Sequence, residues 1–533
     1  MTTSLPVEQL KDELEDQAIY PHDPEAVRIE QTHISVVAVV PPWVYKFKKP
    51  LDLGFLDFST LKKRRDACRE EVRLNARLSP GVYQGVVALV QTDEGLRVDV
   101  PETEGELIDY AVKMTYLDHA QTLEQRIARD DVTATDIQRV AERLCEFYEQ
   151  TEATPRTAEA GWIENLRVNI DENFEQTEQY IGSIFSRPAY DALKYFFDRV
   201  LDKHAALFHR RRTGGFVIEG HGDLRLDHAH ITEDRVRILD CIEFNERFRL
   251  LDIANDVAFL AMDLDVAGRS DLSRRFVDFV ADKLSDPDLL KLQSFYKAYR
   301  AHVRAKVEAI RASEIEVPDK DRSKSLDLAR IHAQWALRYA VAGDAPVVIV
   351  VMGRPATGKS TQAAAVADAL GWDHVASDRT RKRLADVPLD TRADAATRNR
   401  LYTDTLSEKT YATVRERALE RGRAGEGTVL DATYSNRHER DRLRSALAAA
   451  ELRHVFAELT ASDKTLRYRL ADRTDEAPTA SDARLEDFEK LSERYEAPDA
   501  LEDARHVRIS AEQAPEDTTR DLLQELIRLN HSG

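Results

Sequence analysis

Six apolar residues, Val347-Val348-Ile349-Val350-Val351-Met352, run without a break into Gly353-Arg354-Pro355-Ala356-Thr357-Gly358-Lys359-Ser360-Thr361. So short a run is far from membrane-spanning length and reads as a buried strand. The G-x-x-x-x-G-K-S pattern follows at once, and then the helical-looking stretch Gln362 to Leu370. Strand, glycine loop and helix in that order form a phosphate-binding loop, in which backbone N–H groups and a helix N-terminus face an anion. On this reading Gly353 to Thr361 cradle the phosphates of ATP, with Arg354, Pro355, Ala356, Thr357 and Gly358 forming the turn. Lys359 reaches the β- and γ-phosphates, and the Ser360 hydroxyl takes a place on Mg²⁺.

A chain of 533 residues exceeds a single core and predicts several domains. Met1 to Gln17 alternates acidic and apolar residues, without the basic-then-apolar order of a signal peptide. No membrane span is expected. The three cysteines, Cys68, Cys145 and Cys241, are far apart and offer neither a disulfide framework nor zinc spacing, which points to the cytoplasm. A net charge of −19 argues against nucleic acid as a partner, because such affinity is built on clustered cations.

The main boundary is placed at Gly343, a helix-terminating glycine followed by Pro346. That gives domains 1–343 and 344–533. Before it, Ile34 to Lys48 is β-like around the Pro41-Pro42 turn, and Leu61 to Leu78 is helical. Val82 to Val100 and Ala111 to Tyr116 read as strands with a turn at Asp93-Glu94-Gly95. Leu123 to Phe208 and Leu251 to Ala342 are mostly helical, separated by short strands around a His-Gly-Asp loop.

That loop is the second constellation: Glu219-Gly220-His221-Gly222-Asp223-Leu224-Arg225-Leu226-Asp227-His228, followed by Val236-Arg237-Ile238-Leu239-Asp240. Phosphoryl transfer of the kinase type needs a carboxylate to orient and deprotonate the acceptor hydroxyl, and metal ligands a few residues on and on the next strand. His221-Gly222-Asp223 and Ile238-Leu239-Asp240 have that order. Upstream, Lys46 or Lys48 with Glu71 forms the ion pair that positions the α- and β-phosphates; spacing alone does not choose between the lysines. Asp252 and Asp256 would brace the loop, whereas Asp263 and Asp265 read as a solvated helix end. His33, His228 and His230 read as local hydrogen-bonders rather than a zinc set.

With these residues in view, 27 to about 340 resembles the aminoglycoside-phosphotransferase-like kinases, which share the protein-kinase fold. The likeness rests on Gln31-Thr32-His33-Ile34-Ser35, Val44-Tyr45-Lys46-Phe47-Lys48-Lys49-Pro50, Gly54-Phe55-Leu56-Asp57-Phe58-Ser59-Thr60-Leu61, His221-Gly222-Asp223-Leu224 and Asp240-Cys241-Ile242-Glu243-Phe244-Asn245. The resemblance implies an α+β fold with Asp223 as catalytic base and Asp240 as a Mg²⁺ ligand. The position five after the base, usually Asn, is His228 here, and imidazole is a poorer partner than an amide oxygen for a hard cation.

In the C-terminal part, Gly371 to Asp378 reads as a second strand ending in the carboxylate of Asp378, a base or orienting group for an acceptor hydroxyl. Arg381 would hold a polar or anionic group of that acceptor. Thr428-Val429-Leu430-Asp431 supplies a second carboxylate near Mg²⁺. Arg469 and Arg473 share a helix face and would close over the phosphates as a lid. Residues 347 to about 515 resemble the small P-loop kinases grouped with polynucleotide kinase, gluconate kinase and zeta-toxin-like proteins. The matching motifs are the P-loop, Ser377-Asp378-x-x-Arg381-Lys382, Leu430-Asp431-Ala432-Thr433, the Arg469/Arg473 segment and Ser481-Asp482-Ala483. This implies an α/β P-loop domain with a parallel sheet.

Together the two resemblances imply a bifunctional aminoglycoside-phosphotransferase-like and P-loop kinase. It would use ATP and Mg²⁺ at two sites and act on small-molecule hydroxyl acceptors such as a sugar, an aminoglycoside or another polyol. Glu243, Glu246 and Asp227 suit a cationic or polyhydroxylated acceptor at the first site, and Arg379, Arg381 and Arg383 an anionic one at the second. Two alternatives stay open: an N-terminal pseudokinase that senses a ligand and regulates one active P-loop kinase, and a nucleic-acid end kinase or toxin-like kinase in the C-terminal domain.

Overall fold

The computed structural model describes residues 5–54, 56–314, 317–389, 393–472, 484–498 and 505–531. Arg473 and Ser481-Asp482-Ala483 lie outside the described residues. The chain divides into two compact units, Met1–Arg167 with Ala205–Tyr296, and Val168–His204 with Lys297–Gly533.

In the first unit, strands β1 (Arg28–Gln31), β2 (Ser35–Val40), β3 (Trp43–Lys48), β4 (Tyr83–Thr92), β5 (Gly95–Val98) and β6 (Glu106–Thr115) form one sheet. Its order is β1-β2-β3-β6-β4-β5, and every pairing is antiparallel. Pro41-Pro42 closes the β2–β3 hairpin, with Val40 opposite Trp43. Gly95, at φ +120°, opens the return of β5 along β4. Val36, Ala38, Val40, Tyr45 and Phe47 give the sheet a buried core.

The helix Leu61–Asn75 follows β3 and is capped by the Thr60 hydroxyl, which accepts from Lys63 N at 3.3 Å. Its sequence is strongly charged, yet Arg64, Cys68, Glu71 and Asn75 recur at helical spacing and are buried. Burial of such groups requires partners. Arg64 Nε donates to Asp109 on β6 at 2.8 Å, and Glu71 meets the lysines of β3. This periodicity places Glu71.

Two short antiparallel pairs frame the His-Gly-Asp loop: β7 (Val217–Glu219) with β10 (Leu250–Asp252), and β8 (Ala229–Ile231) with β9 (Val236–Ile238). The helix Ile253–Val266 is buried almost throughout and is N-capped by Asp252, whose carboxylate accepts from Ala254 N. Asp252 is therefore a cap and the partner of Arg211 (2.7 Å), not a member of the helix face. The expectation of a solvated helix end at Asp263 and Asp265 is corrected: Asp265 is buried, and Asp263 accepts from Leu226 N at 3.2 Å.

The second unit is built on a parallel sheet of β11 (Val347–Met352), β12 (Asp373–Ala376), β13 (Thr428–Asp431), β14 (Arg453–Thr460) and β15 (His506–Ser510), in the order β12-β13-β11-β14-β15. All six residues of β11 are buried, as a central parallel strand covered on both faces requires. Val351 and Ala376 are both in register with Asp431. The C-terminal strand ends therefore carry the P-loop, Asp431 and the start of the helix Ser377–Leu384 along one edge, where ligands bind in open α/β sheets.

Asp378 lies in the first turn of that helix rather than at a strand end. The helices Arg187–Lys203 and Asp319–Ala342 precede Gly343 in sequence yet belong to this unit. Arg187–Lys203 packs on the terminal helix Pro515–Asn530, and the His531 ring sits 5.0 Å from that of Phe196.

Candidate functional site

The first unit gathers its charged residues around β3. Lys46 Nζ lies 2.5 Å from Asp240 Oδ1 and 2.9 Å from Glu71 Oε1. Lys48, two residues on, is fully buried and pairs with Glu71 and Glu243. Burial opposes the charge on Lys46, but the Asp240 and Glu71 carboxylates outweigh it and hold the ammonium pKa well above its usual value. Partial burial raises Asp240; Lys46 and then His228 pull it far below the usual carboxylate range. Glu243 is pushed up by burial against the pull of Lys48.

The Asp240 side chain remains 43% exposed, whereas those of Lys48 and Glu71 are sealed. Exposure and reach separate two lysines that spacing left equivalent. The idea that Glu243 faces an acceptor is corrected: it is buried against Lys48. Glu246 is paired with Arg156 and Asp227 with Arg225.

The His221-Gly222-Asp223 loop is held from beneath by Asp256, whose two oxygens accept from His221 N at 2.8 Å and Gly222 N at 2.9 Å. His221 Nε2 pairs with the Leu239 carbonyl at 2.8 Å, and Ile242 N donates back to the His221 carbonyl at 3.1 Å. These contacts bring Asp223 and Asp240 to one place. His228 Nδ1 is 2.8 Å from the Asp223 carbonyl, which makes Nδ1 the donor and turns Nε2 outward. That Nε2 stands 3.8 Å from Asp240 Oδ2 and 3.8 Å from Asp227 Oδ2.

In the second unit the loop after β11 turns on Gly353 (φ +139°), Ala356 (φ +65°) and Gly358 (φ +91°). A Cβ on Gly353 would stand 2.4 Å from the Leu459 carbonyl oxygen, so only glycine fits there. Lys359 opens the helix Lys359–Leu370, and its Nζ donates to the Arg354 carbonyl at 3.0 Å. Ser360 and Thr361 are exposed beside it. Arg354 itself pairs with Asp463 at 2.7 Å.

A cavity of about 290 Å³ adjoins the loop, lined by Ala356, Thr357, Gly358, Thr361, Arg469, Gln513 and Pro515 among others. Arg469 reaches the Ala511 carbonyl at 2.6 Å, which puts it on the cavity rim. The stretch 511–518 closes this cavity, and no motif in the sequence marks it. Only the strand pattern of His506–Ser510 before it hints at a loop on the ligand edge.

Asp431 is buried at the end of β13, with His374 Nε2 3.6 Å from its Oδ2. Asp378 is partly exposed, and burial together with the charges of Arg381 and Asp378 acts on the neighbouring Tyr411, whose pKa is pushed up to about 12. Arg381 is buried; its guanidinium donates to the Leu401 carbonyl at 3.1 Å and to the Ser407 hydroxyl at 2.9 Å, while Nε has no hydrogen-bond partner. Among the described residues no group of three or more His, Cys, Asp or Glu side chains is arranged to hold a metal ion unaided. No described helix is long and apolar enough to cross a membrane.

The central buried strand, the glycine loop and the parallel sheet define a P-loop nucleotide-binding domain, and a family model described as an AAA domain matches residues 348–498. Over 421 residues the chain is 30% identical to Uncharacterized protein Rv2004c of Mycobacterium tuberculosis (strain H37Rv) and to Uncharacterized protein Mb2027c of Mycobacterium bovis, covering 78% of this chain and 80% of each relative. The chain belongs to the family of these mycobacterial proteins.

Among solved structures it matches a gluconokinase from Sinorhizobium meliloti 1021 (25% identity, 35% of this chain, 95% of that chain, TM-score 0.27). It also matches a sugar kinase from Janibacter sp. HTCC2649 (22% identity, 33% of this chain, 92% of that chain, TM-score 0.26). Scores of this size carry neither fold nor function across.

Proposed function

We propose that the chain is an ATP- and Mg²⁺-dependent phosphotransferase with two separate sites, each acting on a hydroxyl of a small molecule in the cytoplasm. The observation that carries the reading is a lysine set with carboxylates in each unit: Lys46 on Asp240, with Asp223 beside it across His228, and the P-loop of Lys359 on the sheet edge that also carries Asp431 and the helix of Asp378. Phosphoryl transfer depends on positioning and charge stabilisation rather than on covalent chemistry by the protein, and both sets supply those functions. The first unit would then be a protein-kinase-like domain of the aminoglycoside phosphotransferase type.

The donor chemistry fits the cofactors. Backbone N–H groups of 353–361 with Lys359 suit a polyphosphate, and the adjoining cavity suits the nucleoside. Asp240 with His228 Nε2, and Asp431 with Ser360, would hold Mg²⁺, phosphate oxygens completing its shell. When bound, ATP–Mg²⁺ supplies the activated phosphoryl group. Within the chain, Lys46 and Lys359 neutralise phosphate charge, and Glu71 with Lys48 fixes Lys46. Asp223 and Asp378 orient the acceptor hydroxyl and take its proton. Arg469, with Arg473, shields the second site from water.

The test uses the full chain, with ATP consumption measured against a panel of sugars, polyols and aminoglycosides. Asp223→Asn and Lys359→Ala should each abolish turnover of a different set of acceptors. If neither variant lowers any acceptor-dependent turnover, the reading fails. A second reading, in which the first unit senses a ligand and regulates the P-loop site, is favoured by His228 standing where an amide ligand would serve Mg²⁺ better. On that reading Asp223→Asn leaves every acceptor's turnover intact, while Lys46→Ala alters turnover at the P-loop site.

A further inference from the structure

Arg379 and Arg383 were grouped with Arg381 by sequence, but the structure separates them. Arg381 turns inward to Leu401 and Ser407. Arg379 and Arg383 lie one turn apart on another face of the same helix and line a cavity of about 210 Å³ together with Arg417 of the helix Asp404–Arg423. All three arginines are exposed, and none forms an ion pair or hydrogen bond with a described residue. Among the described residues no carboxylate lines the cavity. Asp373, next to His374 at the start of β12, is taken by Arg421.

Thr380 and Thr413 line the same space, their hydroxyls donating to the Ala376 and Lys409 carbonyls at 2.9 and 3.0 Å, and His374 closes it from β12 with Nε2 3.6 Å from Asp431 Oδ2. Single exposed arginines occur elsewhere on the chain, but here three guanidiniums converge on one pocket, and such a concentration of positive charge favours an anion. Arginine forks match the geometry of phosphate oxygens, and the hydroxyl oxygens, their protons engaged by backbone carbonyls, can accept from a protonated phosphate oxygen. A volume of this size holds one phosphate group and a small attached body, not a polymer.

We propose that this cavity is a phosphomonoester-binding site, separate from the P-loop, with Arg379, Arg383 and Arg417 as its anion ligands and His374 as the group that joins it to Asp431. The phosphate belongs either to a phosphorylated acceptor or to an effector, and the recognition chemistry is the same for both. Binding there does not depend on whether the P-loop site transfers phosphate, so this inference can fail while the proposed function stands, and the reverse.

The test is calorimetric titration of the full chain carrying Lys359→Ala, which weakens the P-loop as a competing anion site, with glycerol 3-phosphate and with inorganic phosphate. Binding should persist in Lys359→Ala. It should weaken about tenfold or more when Arg379→Ala and Arg383→Ala are added, and again when Arg417→Gln, on a different helix, is added alone. Thermal melts of the same variants establish that they fold. No binding to Lys359→Ala, or binding indifferent to the arginine substitutions, overturns the site. With native protein and ATP, conversion of glycerol 3-phosphate to a new phosphorylated product marks the ligand as acceptor. A change in ATP turnover without its consumption marks it as effector; either outcome supports the site.

Discussion

Lys46 Nζ and Asp240 Oδ1 meet at 2.5 Å across 194 residues of sequence, and the same ammonium touches Glu71. One lysine thus joins a sheet strand, the helix behind it and the loop after β9 at the mouth of the first unit. Its neighbour Lys48 makes a similar number of ion pairs but in a sealed interior.

The two lysines should therefore respond differently to removal. Lys48→Met leaves Glu243 buried without its cation and Glu71 with Lys46 alone, and an unpaired buried charge costs about 3–5 kcal/mol. Denaturant unfolding of the full chain should show a loss of that order. Lys46→Met, at the partly open edge, should cost less stability and instead weaken nucleotide binding to the first unit. Equal stability losses from the two variants would contradict the assignment.

For the P-loop, Lys359→Ala should abolish acceptor-dependent ATP turnover at the second site while leaving the melting profile nearly unchanged, since the side chain packs no core. Gly353→Ala should also abolish that turnover, by displacing the loop from Leu459, but with a lowered melting temperature. Unaltered ATP affinity in both variants would mean that phosphate binds elsewhere.

Asp378→Asn should lower kcat by roughly 10²–10⁴-fold, the usual contribution of a general base, with little change in nucleotide affinity. Arg381→Ala should behave otherwise. Its guanidinium is built into contacts with Leu401 and Ser407, so the expected effect is a lower melting temperature, with any rise in KM following from the loosened segment. Steady-state kinetics and melts on both variants separate the roles.

Acid should loosen the second unit through His302. This imidazole is fully buried, its pKa pushed down to about 3 by burial and by Lys306, with Thr177 Oγ1 at 3.0 Å. The unfolded chain takes up that proton near pH 6.5 and the folded one does not. Stability from His302 is thus complete above pH 6.5 and is lost as pH falls toward 3, amounting to about 2 kcal/mol by pH 5. Unfolding of the native chain and of His302→Asn between pH 7 and 5 should show a steeper slope for the native chain.

Local chemistry was legible in the sequence, and the choice of partners was not. Val347 to Ser360 could be read because strand, turn and helix signals lie next to each other, and β11 and the helix Lys359–Leu370 stand where those signals put them. β13 likewise runs over Thr428–Asp431 as its apolar run indicated. Asp378 was displaced from strand to helix because β12 is only four residues long and the change of period falls on Ser377. Arg381 read as a holder of the acceptor because nothing local shows that Leu401 and Ser407 turn back over it. Asp263 looked solvated for the same reason, since its partner, Leu226 N, comes from a distant loop. The helices Arg187–Lys203 and Asp319–Ala342 show amphipathic spacing, but the periodicity does not say which sheet they serve.

The Lys359 ammonium rests on the carbonyl of Arg354, five residues back in its own loop. A polyphosphate entering that loop must win the lysine from an internal rival. That rival sets a threshold: a weak, singly charged anion gains too little to displace it, whereas a triphosphate gains enough. On the proposed function, a preference for highly charged ligands would follow from the loop's own geometry, before any contact with the rest of a nucleotide.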